Sequence, residues 1–223
     1  MPRAEPHGSP QVCAPRGGRR AIVSFINLRE KIVQVKIVYY GPGRGGKTTN
    51  LEYINRKFSR QIQSEMISLK THGDRTLFFD FLPFNMGQIK GYDLKIQLYT
   101  VPGQVKYNAT RKLVLKGVDG IVFVADAQEQ MREKNIRSLN QLHENLQDYK
   151  ESIFRLPLVL QYNKVDLRNQ GIPVLPTSVL DKDLNSKLKV PTFEASALTG
   201  YNVPETLKKI ISSTVISIQK KLM

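Results

Sequence analysis

Residues Gly41-Pro42-Gly43-Arg44-Gly45-Gly46-Lys47-Thr48 follow a β-branched and aromatic run, Ile32–Tyr40, and precede apolar residues at helical spacing, Leu51, Ile54 and Phe58. The pattern is G-x-x-x-x-G-K-T between a strand and a helix, and no other feature of the chain constrains the fold as much. Glycines let backbone N–H groups curl around a phosphate without Cβ clash, and the helix start adds the positive end of its dipole. Lys47 then reaches the terminal phosphates and the Thr48 hydroxyl ligates Mg²⁺. A glycine-rich turn capped by Thr48 is the plainer alternative, and the flanking strand and helix argue against it.

Beyond the loop the two periods keep alternating. Residues 76–82 and 94–101 read as strands joined by a loop containing Gly87 and Gly91. Residues 119–125 and 156–162 are near-continuous apolar runs, as expected of strands covered on both faces. Ile136, Leu139, Leu142, Leu146 and Tyr149 stripe one helix, and Leu207, Ile210, Ile211, Val215 and Ile218 stripe a last one, with Lys208 and Lys209 outside. A short strand is expected over 190–195. Such alternation implies one α/β domain with a mostly parallel sheet and ligands at the strand C-termini.

Composition removes several alternatives. Of the 223 residues 40% are hydrophobic, enough for a sizeable core. Cys13 is the single cysteine, so no intramolecular disulfide forms. No uncharged apolar stretch approaches the roughly 18 residues of a membrane helix. The first 22 residues carry Pro2, Pro6, Pro10 and Pro15, three glycines and four arginines against Glu5. They read as a disordered basic tail, or as the product of an upstream start codon, before a domain over 23–223. The tail lacks the apolar core of a signal peptide and the chain lacks lipidation motifs, so a cytoplasmic protein is expected. Net charge is +15. No recognition motif or aromatic-interleaved basic run supports specific nucleic-acid binding, which leaves anionic lipid or an acidic partner open.

Three further segments carry chemistry. Asn163-Lys164-Val165-Asp166 follows a strand at once. A carboxylate there accepts from guanine N1–H and N2–H₂, and against adenine Asp166 would be left unpaired. Asn163 would brace the loop and meet the base's other edge, and the Lys164 stem would lie over the ring. Ser196-Ala197-Leu198 follows the next strand, where the Ala197 N–H reaches guanine O6. Thr100-Val101-Pro102-Gly103-Gln104 ends the strand at 94–101, placing Gly103 against a γ-phosphate and Gln104 beside the attacking water. Upstream, Thr76 can lend oxygen to Mg²⁺, and Arg75 reads as an internal arginine finger or as one more solvated cation. The histidines are isolated, without metal-ligand spacing.

Together, the stretches at 35–54, 74–83, 98–104, 115–126 and 161–167 resemble the MglA family of bacterial Ras-like small GTPases of cell polarity and gliding motility, from about residue 24 to the end. The resemblance implies a three-layer P-loop G domain whose mostly parallel central sheet is flanked by helices and carries one antiparallel edge strand. It implies Mg²⁺-dependent GTP hydrolysis to GDP as a slow switch in a monomer. It also implies a roadblock-type homodimeric activator, MglB, polarity or motility effectors, and recruitment to the cell pole. The expected nucleotide contacts are Gly41, Gly43, Arg44, Gly45, Gly46, Lys47, Thr48, Thr49, Thr76, Gly103, Asn163, Lys164, Asp166, Ser196, Ala197 and Leu198. Catalytic roles fall on Lys47, Gln104 and Arg75, the last matching the family's intrinsic arginine. Most Ras-like proteins have Asp where this chain has Thr100, a departure MglA-like proteins share. A hairpin turning about residue 90 would set Asp80 opposite Thr100, where it can replace the missing charge beside Thr48 and Thr76 as a metal-holding residue. Two rivals share the phosphate motif: a scaffold that binds GTP without turnover, and an ATP-using kinase or ATPase, against which Asp166 argues.

Overall fold

Beginning at Phe25, the chain lays down β1 (Phe25–Asn27), β2 (Ile32–Tyr40), α1 (Lys47–Lys57), β3 (Ile67–Leu69), β4 (Phe79–Ile89) and β5 (Tyr92–Thr100). There follow α2 (Asn108–Leu115), β6 (Gly120–Asp126), α3 (Arg132–Gln147), β7 (Leu158–Asn163), α4 (Thr177–Leu180), β8 (Thr192–Ala195) and α5 (Val203–Lys221). This is a computed structural model, and it describes residues 25–27, 30–59, 66–69, 79–89, 91–102 and 107–221. The basic tail, Arg75, Thr76, Gly103 and Gln104 lie outside the described residues.

The strands form one sheet in the order β3-β4-β5-β2-β6-β7-β8, with β1 against the start of β2. Ladders from β5 through β2, β6 and β7 to β8 are parallel. The expected antiparallel strand is β4, paired to β5, and two three-residue strands extend the antiparallel pairing: β3 outside β4, and β1 on β2. Alternation along β2 divides the core. Val38 and Tyr40 face the layer of α2, α3 and α4, while Ile37 and Tyr39 face α1 and α5. Both tyrosines are fully buried, and all seven residues of β6 are buried because helices cover both faces. On α1 the buried apolar residues are Leu51 and Ile54; on α5 they are Val203, Leu207, Ile210, Ile211 and Ile218. The three layers are those the family resemblance implies, and the mostly parallel sheet is the one the alternation predicts.

Two local readings change. The loop expected around Gly87 and Gly91 is shorter, because β4 continues to Ile89. One extra residue is absorbed between Asn85 and Gln88, where the register shifts, and pairing resumes at Gln88↔Asp93. An isolated glycine inside a strand marks a bulge as readily as a turn. The helix α2 was not legible, since its inward face carries Arg111, 1% exposed, beside Val114 and Leu115 and so breaks the apolar period.

Candidate functional site

The C-terminal ends of β2, β6 and β7 and the start of α1 meet at one edge of the sheet, where parallel α/β folds bind ligands. Gly41 leaves β2 with φ +147° and its Cβ position would collide with the Val124 carbonyl of β6, so only glycine turns the chain there. Gly45 N–H closes back on the Pro42 carbonyl at 3.3 Å. The left-handed Gly46 caps α1 without a side-chain hydrogen bond, and no acidic residue stands in the first turn. Lys47, 7% exposed, folds over the loop and donates from Nζ to the carbonyls of Gly41 (3.0 Å) and Pro42 (2.6 Å). Burial, then the charge of Arg111, pulls its ammonium down to about 7, with Asp80 opposing. A cation held out of water on its own carbonyls is a strong attractor for a phosphate. Gly43 and Thr49 are half-buried in this arc, and Arg44, in a left-handed conformation, is exposed.

Beside the loop three oxygens converge. Asp80 on β4 pairs antiparallel with β5 in the register that sets Phe81 opposite Tyr99, which brings Asp80 to Thr100 as the residue arithmetic predicts. Thr100 Oγ1 donates to Asp80 Oδ2 at 2.8 Å and accepts the Asp80 N–H at 2.9 Å. From α1, Thr48 Oγ1 donates to the same Oδ2 at 2.6 Å. A carboxylate with hydroxyls is a hard-oxygen set suited to Mg²⁺, which is commonly held by one or two carboxylates plus substrate phosphates. No group of three or more His, Cys, Asp or Glu residues gathers as a metal cage among the described residues.

At the other end of the site Asn163 joins two loops. Its Nδ2 donates to the Gly45 carbonyl and its Oδ1 accepts from the Ala197 N–H, both at 2.8 Å. The brace expected of Asn163 is present. In this structure the Ala197 N–H is engaged by Asn163, so guanine O6 must share that donor or displace Asn163 from it. Ser196 is buried and its hydroxyl accepts from Thr199 N–H at 3.2 Å, while Leu198 is 70% exposed. The half-buried Asp166 lies in the 3₁₀ turn Val165–Gln170. Lys164 enters that turn with φ +73° and pairs through Nζ with Asp126 Oδ2 at 2.7 Å.

Sequence reasoning did not assign Asp126. It ends β6, is 1% exposed, and also accepts from the Gln128 backbone at 3.1 Å. The signal was a carboxylate closing an otherwise apolar run, at the end of a strand where ligands bind. A network behind the phosphate loop was also missed: Asn145 on α3 donates to Tyr40 Oη (3.2 Å) and to Asn108 Oδ1 (3.0 Å), which also accepts from Arg111 at 3.4 Å.

The Ras family model matches residues 36–216, which contain every described part of this site. The chain belongs to the Ras family. Ras-family proteins are small GTPases, and GTP hydrolysis is the activity of this one. Mutual gliding-motility protein MglA of Myxococcus xanthus (strain DK1622) is 46% identical over 198 residues, covering 89% of this chain and 99% of its own length. Ras-related protein RABG3f of Arabidopsis thaliana is 27% identical, covering 82% of this chain and 83% of its own. Ras-related protein Rab-7a of Dictyostelium discoideum is 24% identical, covering 83% and 85%. Among the described residues of this Ras-family chain no helix is long and apolar enough to cross a membrane.

Proposed function

We propose that this small GTPase is a Mg²⁺-dependent switch in cell polarity or motility, acting as a monomeric G domain over residues 23–223 with the basic tail outside it. The observation that carries the reading is Asn163, hydrogen-bonded at once to the phosphate loop through Gly45 and to the base loop through Ala197. One side chain thereby sets the spacing between the triphosphate end and the guanine end.

In this reading Gly41, Gly43, Arg44, Gly45, Gly46 and Thr49 line the phosphates with Lys47, whose Nζ exchanges two backbone carbonyls for phosphate oxygens. Asp166 accepts the guanine N1–H and N2–H₂, and the Lys164 stem, tethered by Asp126, covers the ring. Ser196, Ala197 and Leu198 close the far side. Thr48, Asp80 and, in the GTP state, Thr76 would hold Mg²⁺, which when bound offsets the charge of the β- and γ-phosphates. Gln104 orients the attacking water and Gly103 N–H meets the γ-phosphate. Such sites turn over slowly because transition-state charge is incompletely covered, and one arginine is worth roughly 10³–10⁵ in rate. Arg75 supplies it from this chain, so an MglB-like roadblock homodimer acts by ordering Arg75 and Gln104. Departure of the γ-phosphate loosens the segments around Thr76 and Gly103, which effectors read. Likeness to a gliding-motility protein along almost its whole length supports the motility output, and cytoplasmic action at a cell pole belongs to the same reading.

Nucleotide analysis of the purified chain, with turnover measured with and without a roadblock-family dimer, tests this. Bound guanine nucleotide, GTP displacing it far better than ATP, and dimer-stimulated hydrolysis are expected. A chain that comes out empty and ignores every ribonucleotide with Mg²⁺ overturns the reading.

A further inference from the structure

Strand β7 is apolar except at Gln161 and Asn163, and it is Gln161 that has no place among the nucleotide contacts. It is fully buried, as is Asn50 on α1. Gln161 Nε2 donates to Asn50 Oδ1 at 2.9 Å, and Asn50 Nδ2 donates to the Gly46 carbonyl at 2.9 Å. That carbonyl also takes the helical hydrogen bond from the Asn50 N–H at 3.0 Å. Two residues along β7, on the same face, Asn163 holds the Gly45 carbonyl.

We propose that Asn50 and Gln161 are a buried amide pair that positions the phosphate loop, by pinning the Gly46 carbonyl so that the following N–H points at an incoming phosphate. The proposal rests on reading residues 41–48 as a phosphate loop. In a planar trans peptide the C=O and the next N–H point opposite ways. Holding the Gly45 and Gly46 carbonyls back toward β7 and α1 therefore aims the Gly46 and Lys47 N–H groups outward together. Gly46 needs this hold: it sits at φ +97° with the Asn163 amide occupying the space where a Cβ would stand. The surroundings are apolar, with Leu51, Ile54, Val124 and Val159 in the same cluster. Two amides cost more to bury there than hydrocarbon of equal shape, the more so because Gln161 Oε1 is buried without a hydrogen-bond partner. What the pair adds over hydrocarbon is direction, because it connects an interior strand to the Gly46 carbonyl at the root of α1.

The test is the shape-matched double variant N50L/Q161M in the full chain, loaded with Mg²⁺ and GDP. Expected are GDP release faster by roughly five- to tenfold, a displaced ³¹P resonance for the β-phosphate, and unchanged preference for GDP over ADP. A merely structural pair would leave the β-phosphate resonance where it is. Should the double variant not fold, Q161M alone, which frees the Asn50 amide to turn, is expected to shift the same resonance by less, and an unmoved resonance overturns the proposal. Wild-type release and resonance in N50L/Q161M overturn it alone. A wild-type chain that holds no GDP overturns the phosphate-loop reading and this inference with it.

Discussion

Thr48 and Thr100 come from different elements yet donate to the same oxygen of Asp80, which is only 8% exposed. A carboxylate so placed brings a negative charge to a strand end where Thr100 brings none. Replacing it by alanine should weaken Mg²⁺ retention by roughly 10–100-fold, with a matching acceleration of GDP release, since orienting partners of a metal site carry costs of that size. Release followed across a Mg²⁺ titration checks this, and a D80A chain with wild-type Mg²⁺ dependence would remove Asp80 from the metal site. Asp126 offers a parallel case at the base end. D126N keeps an acceptor for Gln128 but cancels the ion pair with Lys164. A hydrogen bond to a charged group is worth more than a neutral one, so GDP affinity by calorimetry should fall about tenfold. Neither pairing depends on exposed surface charge, where such effects fade.

At the scale of elements, helix α5 lies on the start of β6 with almost no clearance. A Cβ on Gly120 would meet Thr214 Oγ1, which is itself buried and bonded to the Ile210 carbonyl at 2.7 Å, with Ile210 side-chain atoms next to it. Overpacking of this kind costs about 1–3 kcal/mol, so G120A should lower stability by that amount in urea unfolding. In a T214A background the same change should cost clearly less, because the obstructing oxygen is gone. Strictly additive costs in the double-mutant cycle would mean the two elements do not meet as described. The hairpin of β4 and β5 shows how far an element was readable. Its pairing near Asp80 followed from counting residues about the turn, because a period of two permits only one face per register. Its length did not, since Gly87 serves a bulge within β4 rather than the turn.

Taken as a whole, the molecule is a sheet whose strand C-terminal ends carry both ends of the proposed nucleotide site. In the proposed mechanism hydrolysis depends on Arg75 and Gln104 of this chain, which an activator orders. Q104L should bind GTP with near wild-type affinity yet remain loaded, seen as loss of phosphate release in single-turnover assays. R75A should lose most of the roughly 10³–10⁵-fold acceleration an arginine supplies. A stimulated burst of phosphate release that survives R75A would show that the activator contributes the missing charge itself.

Sequence alone determined whatever is local or periodic: the glycine-rich loop between a strand and a helix, the Asn163–Asp166 and Ser196–Leu198 loops after their strands, the alternation of strands and helices, and the pairing of Asp80 with Thr100. Each needs only neighbours along the chain or a count about one turn. The tertiary structure decided which distant side chains meet. Lys164 finds Asp126 because β6 and β7 are adjacent in the sheet. Gln161 finds Asn50, 111 residues away, because the first turn of α1 reaches the C-terminal end of β7, and Asn145 finds Tyr40 over a separation of 105 because α3 lies over the opposite face of the sheet. No period or motif encodes such meetings, since strand order and helix placement follow from the burial of the whole apolar surface at once.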